Sequence, residues 1–207
     1  ASKTKTKTYK HHIHTYMSTS TSTPLSSSLG WLINNEKSFV RPLPDYYPTI
    51  VLTSAIFFTV LYWLSDWLLP GYTKLKKSCT QGELKDLRSR VVSNAHAIYT
   101  VLAAIYLFGT DEKLRQLDMM YGSDHISLFY AVSMGYFVYD LGLLMTDLKA
   151  LGGWGMVTHH LVAMSAQFFT TVYLQFQLFI VLFAITESSA PFVNNRVLFV
   201  KLDMKES

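Results

Sequence analysis

Long apolar stretches alternate with short polar ones along most of this chain, and their lengths predict membrane-spanning helices. The apolar windows are roughly 18–21 residues long, which is what a helix needs to cross about 30 Å of hydrocarbon. We place four of them at about residues 49–69, 91–108, 126–145 and 156–174, and a fifth ends at about Ala190-Pro191. The pattern therefore predicts an all-α protein, a polytopic membrane helical bundle.

The junction between the fourth and fifth windows decides how this bundle closes. Residues 170–177, TTVYLQFQ, are weakly polar but contain neither Pro nor Gly. One unbroken helix over residues 156–185 would be about 45 Å long at about 1.5 Å per residue, which overshoots the hydrocarbon core by roughly half. We therefore predict a hairpin of two spans, with its turn near Tyr173.

Composition divides the chain into three parts. Residues 1–28 are rich in Lys, Thr and Ser without an apolar run, which predicts a disordered tail and not a signal peptide. Residues 29–48 combine aromatic residues with prolines, typical of an interfacial lead-in. Residues 49–207 form the membrane domain. Its last stretch, NNRVLFVKLDMKES, has only a short apolar piece. We expect either a sixth span truncated at the C-terminus or a chain end on the membrane surface, giving 5–6 spans.

The number and distribution of charged residues also indicate a membrane protein. Charged residues make up 15% of the chain, against about 25% in a soluble domain. The single cysteine, Cys79, cannot form an internal disulfide. No basic stripe interleaved with aromatic residues is present, so we expect no nucleic-acid partner.

Lys and Arg accumulate between the first two spans, which predicts that this loop is cytosolic. Alternation then puts the loop at Gly152 in the cytosol and the turn near Tyr173 in the lumen.

Six ionisable side chains fall within or at the edges of the predicted spans: Asp66, His96, Asp140, His159, His160 and Glu187. An ionisable group at mid-depth costs at least about 2.5–3.5 kcal/mol, so each is a functional candidate. The hairpin places all six in one half of the membrane, whereas one straight helix would separate His159 from Glu187 by about 42 Å.

Structural interpretations compete at several of these positions. Asp66 stands beside Trp67 near a helix end, which is typical of an interface residue, and His96 fits a hydrogen-bonded packing residue. Adjacent helical residues point about 100° apart. We therefore expect only one of His159 and His160 to face a cavity fully.

Four segments carry a resemblance to a known family. NAHAIY (residues 94–99), GYFVYDL (135–141), THHLVAM (158–164) and TESSAPFVNNR (186–196) occur in the order seen in TLC-domain membrane proteins, which include the ceramide synthases and the TRAM proteins. From about Thr49 to its end, the chain most resembles the small, transmembrane-protein-56-like members. The resemblance implies a bundle around a central lipid-accessible cavity, in the endoplasmic reticulum or a related endomembrane. It also implies membrane lipids and fatty-acyl chains as partners.

The resemblance extends to single residues. In the ceramide synthases a histidine pair belongs to an acyl-transfer site fed by acyl-CoA, and His159 and His160 match that pair. Glu187 stands where those enzymes carry the Asp of a His-Asp pair, but the third histidine and the acidic run after it are missing here. Ceramide synthase activity itself does not follow from the match.

These residues are compatible with two different functions. In the first, the protein is an acyltransferase: His159 or His160 acts as base or nucleophile, and Glu187 or Asp140 orients it. His96 and Arg196 then contact the substrate, and acyl-CoA is a co-substrate without any other cofactor. In the second, the same cavity binds lipid without catalysis, in trafficking or in regulating membrane composition.

The sequence also bears on metals and assembly. His96, Asp140, His159 and Glu187 are chemically allowed as ligands, but no Cys ligand or helical His-x-x-x-His accompanies them, so we expect no metal. The tail histidines, His11, His12 and His14, fit a solvated segment better than a metal site. A homo-oligomer is compatible with the sequence.

Overall fold

The computed structural model describes residues 41–203, and within them the chain is helical without strands. The predicted tail and most of the predicted lead-in lie outside the described residues. The helices are α1 (Tyr46–Leu68), α2 (Tyr72–Ser78), α3 (Gln81–Thr110), α4 (Glu112–Arg115), α5 (Asp124–Thr146), α6 (Gly153–Tyr173), α7 (Gln177–Thr186) and α8 (Ala190–Asp203), with a 3-10 turn at Glu187–Ser189 between the last two.

Within these residues, four helices are long and apolar enough to cross a membrane. They are α1, α3, α5 and the rod formed by α7 and α8 over residues Gln177–Leu202. Helix α6 has 21 residues and contains His159, His160 and Gln167, and it is not among these four. The prediction of an all-α membrane bundle is confirmed, and the protein is a multi-pass membrane protein.

The closest helix pairing in the bundle is between α1 and α5. A Cβ added at Gly135 would lie 2.5 Å from the Cβ of Ser54 and 2.5 Å from the carbonyl oxygen of Val51. Only glycine allows the two backbones to approach this closely, as is common between membrane helices. Helix α5 also packs against α6, and α3 packs against α1 and along the rod of α7 and α8.

The basic segment between the first two spans is not the loop that the hydropathy pattern predicts. It forms α2 and the first turns of α3, which begins ten residues before the predicted boundary at Val91. A capping box explains this start: the hydroxyl of Thr80 accepts from the Glu83 N–H at 3.2 Å, and the Glu83 carboxylate accepts from the Thr80 N–H at 2.9 Å. Such a box satisfies two backbone donors of the first turn, so the helix extends beyond its apolar part.

Asp66 has a structural role that its position beside Trp67 does not indicate. Its carboxylate pairs with Arg88 at 2.7 Å and accepts a hydrogen bond from the Tyr72 hydroxyl at 2.7 Å. This hydrogen bond is the main cause that raises the pKa of Tyr72, with burial second. The prediction of an interface residue is therefore incomplete, because Asp66 joins α1 to both α2 and α3.

The predicted turn near Tyr173, which separates the fourth predicted window from the fifth, is confirmed. Helix α6 ends at Tyr173, α7 begins at Gln177, and the connecting Leu174 and Phe176 have φ values of 51° and 60°. Left-handed conformations are unfavourable for residues with a side chain, so contacts elsewhere must stabilise the turn. One of them is the hydrogen bond from the Phe176 N–H to the Met119 carbonyl at 2.9 Å.

The fifth span does not end at Ala190-Pro191, contrary to the sequence prediction. Pro191 is the second residue of α8, where a missing N–H removes no helical hydrogen bond. Helix α8 then runs along α3: Asn194 donates to the Asn94 side chain at 2.8 Å, and Lys201 pairs with Glu83. Residues 190–202 therefore continue the helical rod that begins with α7.

Candidate functional site

Two pairs of buried polar side chains join α5 to α6. Nε2 of His160 lies 2.6 Å from Oδ2 of Asp140, and the Gln167 amide donates to the Ser133 hydroxyl at 3.1 Å. Asp140 follows Ser133 by seven residues and Gln167 follows His160 by seven, in antiparallel helices. Seven residues are two helical turns, about 10 Å. These four residues form a two-rung polar ladder inside the bundle.

His96 connects α3 to this polar ladder. Its Nε2 lies 2.9 Å from the Ser133 hydroxyl, and its ring stacks on Tyr136 with centroids 3.8 Å apart and planes 9° from parallel. The side chain is only 4% exposed. The second rung of the ladder therefore connects three helices through one serine oxygen.

The protonation pattern of His160 follows from its partner. An ionised carboxylate only accepts hydrogen bonds, so Nε2 of His160 donates to Asp140, and a neutral ring keeps its lone pair on Nδ1. That Nδ1 is buried and has no hydrogen-bond partner among the described residues. The Phe137 ring packs against the His160 ring with centroids 5.2 Å apart and planes at 67°. The Asp140–His160 pair thus resembles the base half of a catalytic triad.

An apolar cavity of about 300 Å³ lies between α3, α5, α6 and α7. Its lining is mostly alanine and large apolar or aromatic side chains, among them Tyr99, Ala103, Leu107, Phe129, Ala166 and Val181. His159 and Glu187 provide polar groups to this lining. Val162 and Phe183 also line it and are 64% and 65% exposed, which indicates that the cavity opens sideways between α6 and α7.

A second cavity of about 390 Å³ has a different lining. Its walls include Asp86, Arg90, Asp140, Lys149 and Asn194, with the backbone of Gly152 at the start of α6. We call it the polar cavity. Asp140 connects it to the ladder, since this residue both lines the cavity and holds His160.

Six residues are predicted to take part in catalysis or in substrate contact, and the structure brings five of them together. Asp140 and His160 bond directly, and His96 lies beside them against Tyr136. His159 and Glu187 line one cavity, as the hairpin predicts. The two adjacent histidines diverge as helical geometry requires, because His159 faces the apolar cavity and His160 turns toward α5.

Arg196, the sixth, is exposed and lines neither cavity. The structure does not place it with the other five residues. Its predicted contact with a substrate stays a prediction.

Sequence reasoning missed Ser133 and Gln167. Both are buried and both line the apolar cavity. A signal for them existed in the spacing, because each lies seven residues from a predicted site residue and therefore on the same helical face. Neither is ionisable, so the search for costly intramembrane charges passed over them.

No group of three or more His, Cys, Asp or Glu side chains is placed to hold a metal ion within residues 41–203. The tail residues His11, His12 and His14 lie outside the described part.

Comparison with known proteins identifies the family. A model of the TLC domain matches residues 86–207, which include the whole polar ladder and both histidines of THH. This chain belongs to the TLC-domain family. The resemblance drawn from the four segments is confirmed, and α1 lies before the matched part of the TLC domain.

Curated TLC-domain relatives are similar over about two thirds of this chain. TLC domain-containing protein 4-B of Danio rerio is 33% identical over 140 residues, covering 67% of this chain and 51% of that protein. TLC domain-containing protein 4 of Homo sapiens is 28% identical over 155 residues, covering 71% and 54%. The chain therefore spans about half the length of the curated relatives it matches. No solved structure matches it significantly.

Proposed function

We propose that this TLC-domain protein binds the acyl chain of a membrane lipid in its apolar cavity and acts in membrane lipid homeostasis. The observation that carries the proposal is the cavity itself, whose volume of about 300 Å³ is within the range of ligand pockets. The resemblance to lipid-handling TLC-domain proteins supports the endoplasmic reticulum or a related endomembrane as its location.

Selectivity in such a site comes from its shape and its polar groups. A chain that arrives from the bilayer is already out of water, so moving it between apolar surroundings gains little from the hydrophobic effect. His159 and Glu187 are placed to hydrogen-bond the polar linkage of a lipid whose chain fills the cavity. The sideways opening at Val162 and Phe183 gives that lipid a route from the membrane.

A cavity-filling substitution tests this proposal. Ala166 is half-buried and lines the apolar cavity, whereas the neighbouring Ser165 is exposed and lines neither cavity. We expect Ala166→Phe to reduce the lipid retained by the purified protein, as measured by native mass spectrometry, and Ser165→Phe to retain it. Equal retention in both variants, with equal thermal stability, would contradict chain binding in this cavity.

A second candidate function is acyl transfer from acyl-CoA, and the Asp140–His160 pair favours it. In this reaction the hydroxyl or amine of the acceptor gives its proton to Nδ1 of His160. Its oxygen or nitrogen then bonds to the thioester carbonyl carbon, the C–S bond breaks, and the leaving thiolate takes up the proton. Asp140 orients the ring throughout. Because Nδ1 is buried, side chains around it must move before the acceptor can reach it, so we rank lipid binding as the first candidate function and catalysis as the second.

Histidine variants separate the two functions. The assay is transfer of a labelled acyl group from acyl-CoA to lipids by the purified protein in nanodiscs. If the protein is an acyltransferase, His160→Ala lowers the rate while lipid retention remains, whereas His159→Ala lowers both because His159 lines the apolar cavity. His125→Ala is the control, because His125 is exposed and lines neither cavity. Absence of transfer by the unaltered protein, together with Ala166-dependent retention, supports binding alone.

A further inference from the structure

The apolar cavity is closed at one end by a cluster of packed side chains. Four buried members of this cluster line the cavity, and we call them the cavity floor: Ala104, Leu107, Tyr130 and Val181. Behind them the same cluster continues with residues that do not line the cavity and are at most 3% exposed: Leu114, Ile126 and Leu178. Because packed side chains fill the space beyond the floor, a chain in the cavity ends there.

Hydrogen bonds hold the cavity floor in place. The Tyr130 hydroxyl donates to the carbonyl of Gln177, and the Gln177 side chain is bonded in turn to the Ser123 N–H and the Ser127 hydroxyl. Breaking buried hydrogen bonds costs free energy. The floor is therefore a fixed wall that does not yield to a longer ligand.

The polar groups of the lining lie toward the other end of the cavity. In α7 and the turn after it, the lining extends from Ile180, next to the floor residue Val181, to Glu187, a distance of about 10 Å along a helix. In α3 it extends from His96 to the floor residue Leu107, about 16 Å. These two ends orient a lipid chain, with its terminal methyl group at the floor and its polar linkage toward Glu187.

Two measures of the cavity give the same chain length. A methylene group takes up about as much space as a water molecule, about 30 Å³, so the volume of about 300 Å³ holds about ten of them. An extended backbone spans about 3.3–3.6 Å per residue, or about 1.2 Å per bond, so a cavity of about 10–16 Å takes about 8–13 bonds of an alkyl chain. The cavity therefore encloses a chain of about ten carbons.

Chains of other lengths lose contacts in such a cavity. A chain that comes from the bilayer gains little from the hydrophobic effect, so its fit to the cavity decides its affinity. A shorter chain leaves a void whose lining loses dispersion contacts. A longer chain must leave its surplus carbons in the sideways opening at Val162 and Phe183, which moves its polar linkage away from His159 and Glu187.

We propose that the cavity floor selects the length of the bound chain, and that the ligand is a lipid with a medium-length chain of about ten carbons. The proposal rests on chain binding, the function proposed above, and adds the class of lipid. Two residues beside the floor are specificity-determining. Ala103 is 9% exposed, Ile180 is half-buried, and both line the cavity.

The test uses monoacylglycerols that differ only in chain length. Octanoyl-, decanoyl-, dodecanoyl- and palmitoylglycerol are added together to the purified full chain in nanodiscs, and native mass spectrometry identifies the bound ligands by mass. The amount of each bound ligand is divided by its amount in the nanodisc, so unequal partition does not enter the result. We expect the unaltered protein to retain decanoylglycerol best.

Substitutions beside the floor should shift this preference in opposite directions. Ala103→Leu adds an isopropyl group to the lining, which takes the place of the last carbons of the chain, and octanoylglycerol should become the preferred ligand. Ile180→Ala removes most of a side chain, and the preference should move to dodecanoylglycerol. Ala95→Leu and Ile185→Ala are the matched controls, because they make the same changes where the residue lines neither cavity. Both should keep the preference for decanoylglycerol.

Two results would overturn the selection of chain length. One is retention of palmitoylglycerol by the unaltered protein at least as well as decanoylglycerol. The other is an unchanged preference in Ile180→Ala, whose folding is checked by its midpoint of thermal unfolding against that of Ile185→Ala. This variant carries the test alone if Ala103→Leu does not fold, because a half-buried side chain that loses bulk introduces no clash.

Ala166→Phe separates this inference from the proposal beneath it. It should reduce the retention of all four monoacylglycerols, because each places its chain in the apolar cavity. If it does so while the variants at Ala103 and Ile180 keep the preference of the unaltered protein, chain binding stands and length selection by the floor is wrong. If Ala166→Phe reduces the retention of none, chain binding itself is wrong.

Discussion

Gln167, within α6, and Gln177, the first residue of α7, are two buried glutamines of the same hairpin, and their hydrogen bonding differs. Gln177 is fully buried: its amide oxygen accepts from the Ser123 N–H at 2.8 Å, and its amide nitrogen donates to the Ser127 hydroxyl at 3.0 Å. Gln167 donates to Ser133, but its oxygen has no partner among the described residues.

The residues around the two glutamines differ in hydrogen bonding in the same way. Near Gln177, the Tyr130 hydroxyl donates to the Gln177 carbonyl at 2.6 Å, and Arg41 donates to Ser127 at 3.2 Å. In the polar ladder, Nδ1 of His160 has no partner in the described part of the chain. Unpaired polar atoms are costly in an apolar environment. The satisfied cluster around Gln177 therefore fixes the fold, whereas the ladder keeps hydrogen-bonding capacity that a ligand can use.

The largest expected effect is at the turn itself. A Cβ at Gly122 would lie 2.2 Å from the Leu174 carbonyl oxygen, and backbone cannot give way as a flexible side chain can. We expect Gly122→Ala to destabilise the protein by about 3 kcal/mol or more, seen as a lower midpoint of thermal unfolding in detergent. Gly109→Ala is the control, since nothing lies within 4 Å of a Cβ there. Equal midpoints for the two variants would show that the turn does not depend on this contact.

Gln177→Met should be the next most severe change. The substitution keeps the length of the side chain but leaves the Ser123 N–H without its acceptor and removes one donor to the Ser127 hydroxyl, which predicts a loss of about 2–4 kcal/mol. The nearby Gln175 is half-buried and makes no side-chain hydrogen bond within the described part, so Gln175→Met controls for composition. A similar shift of the unfolding midpoint in both would refute the structural role given to Gln177.

The Asp140–His160 rung should show coupling. Removing either partner leaves the other buried and unpaired, whereas removing both relieves that penalty. We expect a double-mutant cycle with Asp140→Ala and His160→Ala to give a coupling free energy of about 1–3 kcal/mol, measured by equilibrium unfolding in mixed micelles. Strictly additive single effects would mean that the 2.6 Å contact contributes nothing to stability.

The smallest effect should come from Gln167→Met. Its oxygen is already unpaired, so the exchange removes one hydrogen bond and one desolvated acceptor together. We expect a change in the free energy of unfolding of less than about 1 kcal/mol, alongside altered lipid retention, because Gln167 lines the apolar cavity. A stability loss as large as that of Gln177→Met would remove the distinction between the two glutamines.

Much of the fold was accessible from local properties of the sequence. The length of each apolar window and the cost of inserting an ionisable group depend on a few neighbouring residues, which suffices to predict the helices and the hairpin. The same local properties also predict that five ionisable residues lie in one region of the bundle: His96, Asp140, His159, His160 and Glu187. The errors, at the start of α3 and at Pro191, arose where polar caps and packing extended helices beyond their apolar parts.

The partner of each side chain was decided only by the tertiary structure. Sequence alone left Asp140 and Glu187 as equal candidates to hold a histidine, and it gave no reason to pair Gln167 with Ser133. Those choices depend on how each helix is rotated about its axis and shifted along its neighbour. Close packing sets both quantities, as at Gly135 between α1 and α5, and no single window of sequence contains both sides of such a contact. The division of the interior into an apolar and a polar cavity follows from the same packing.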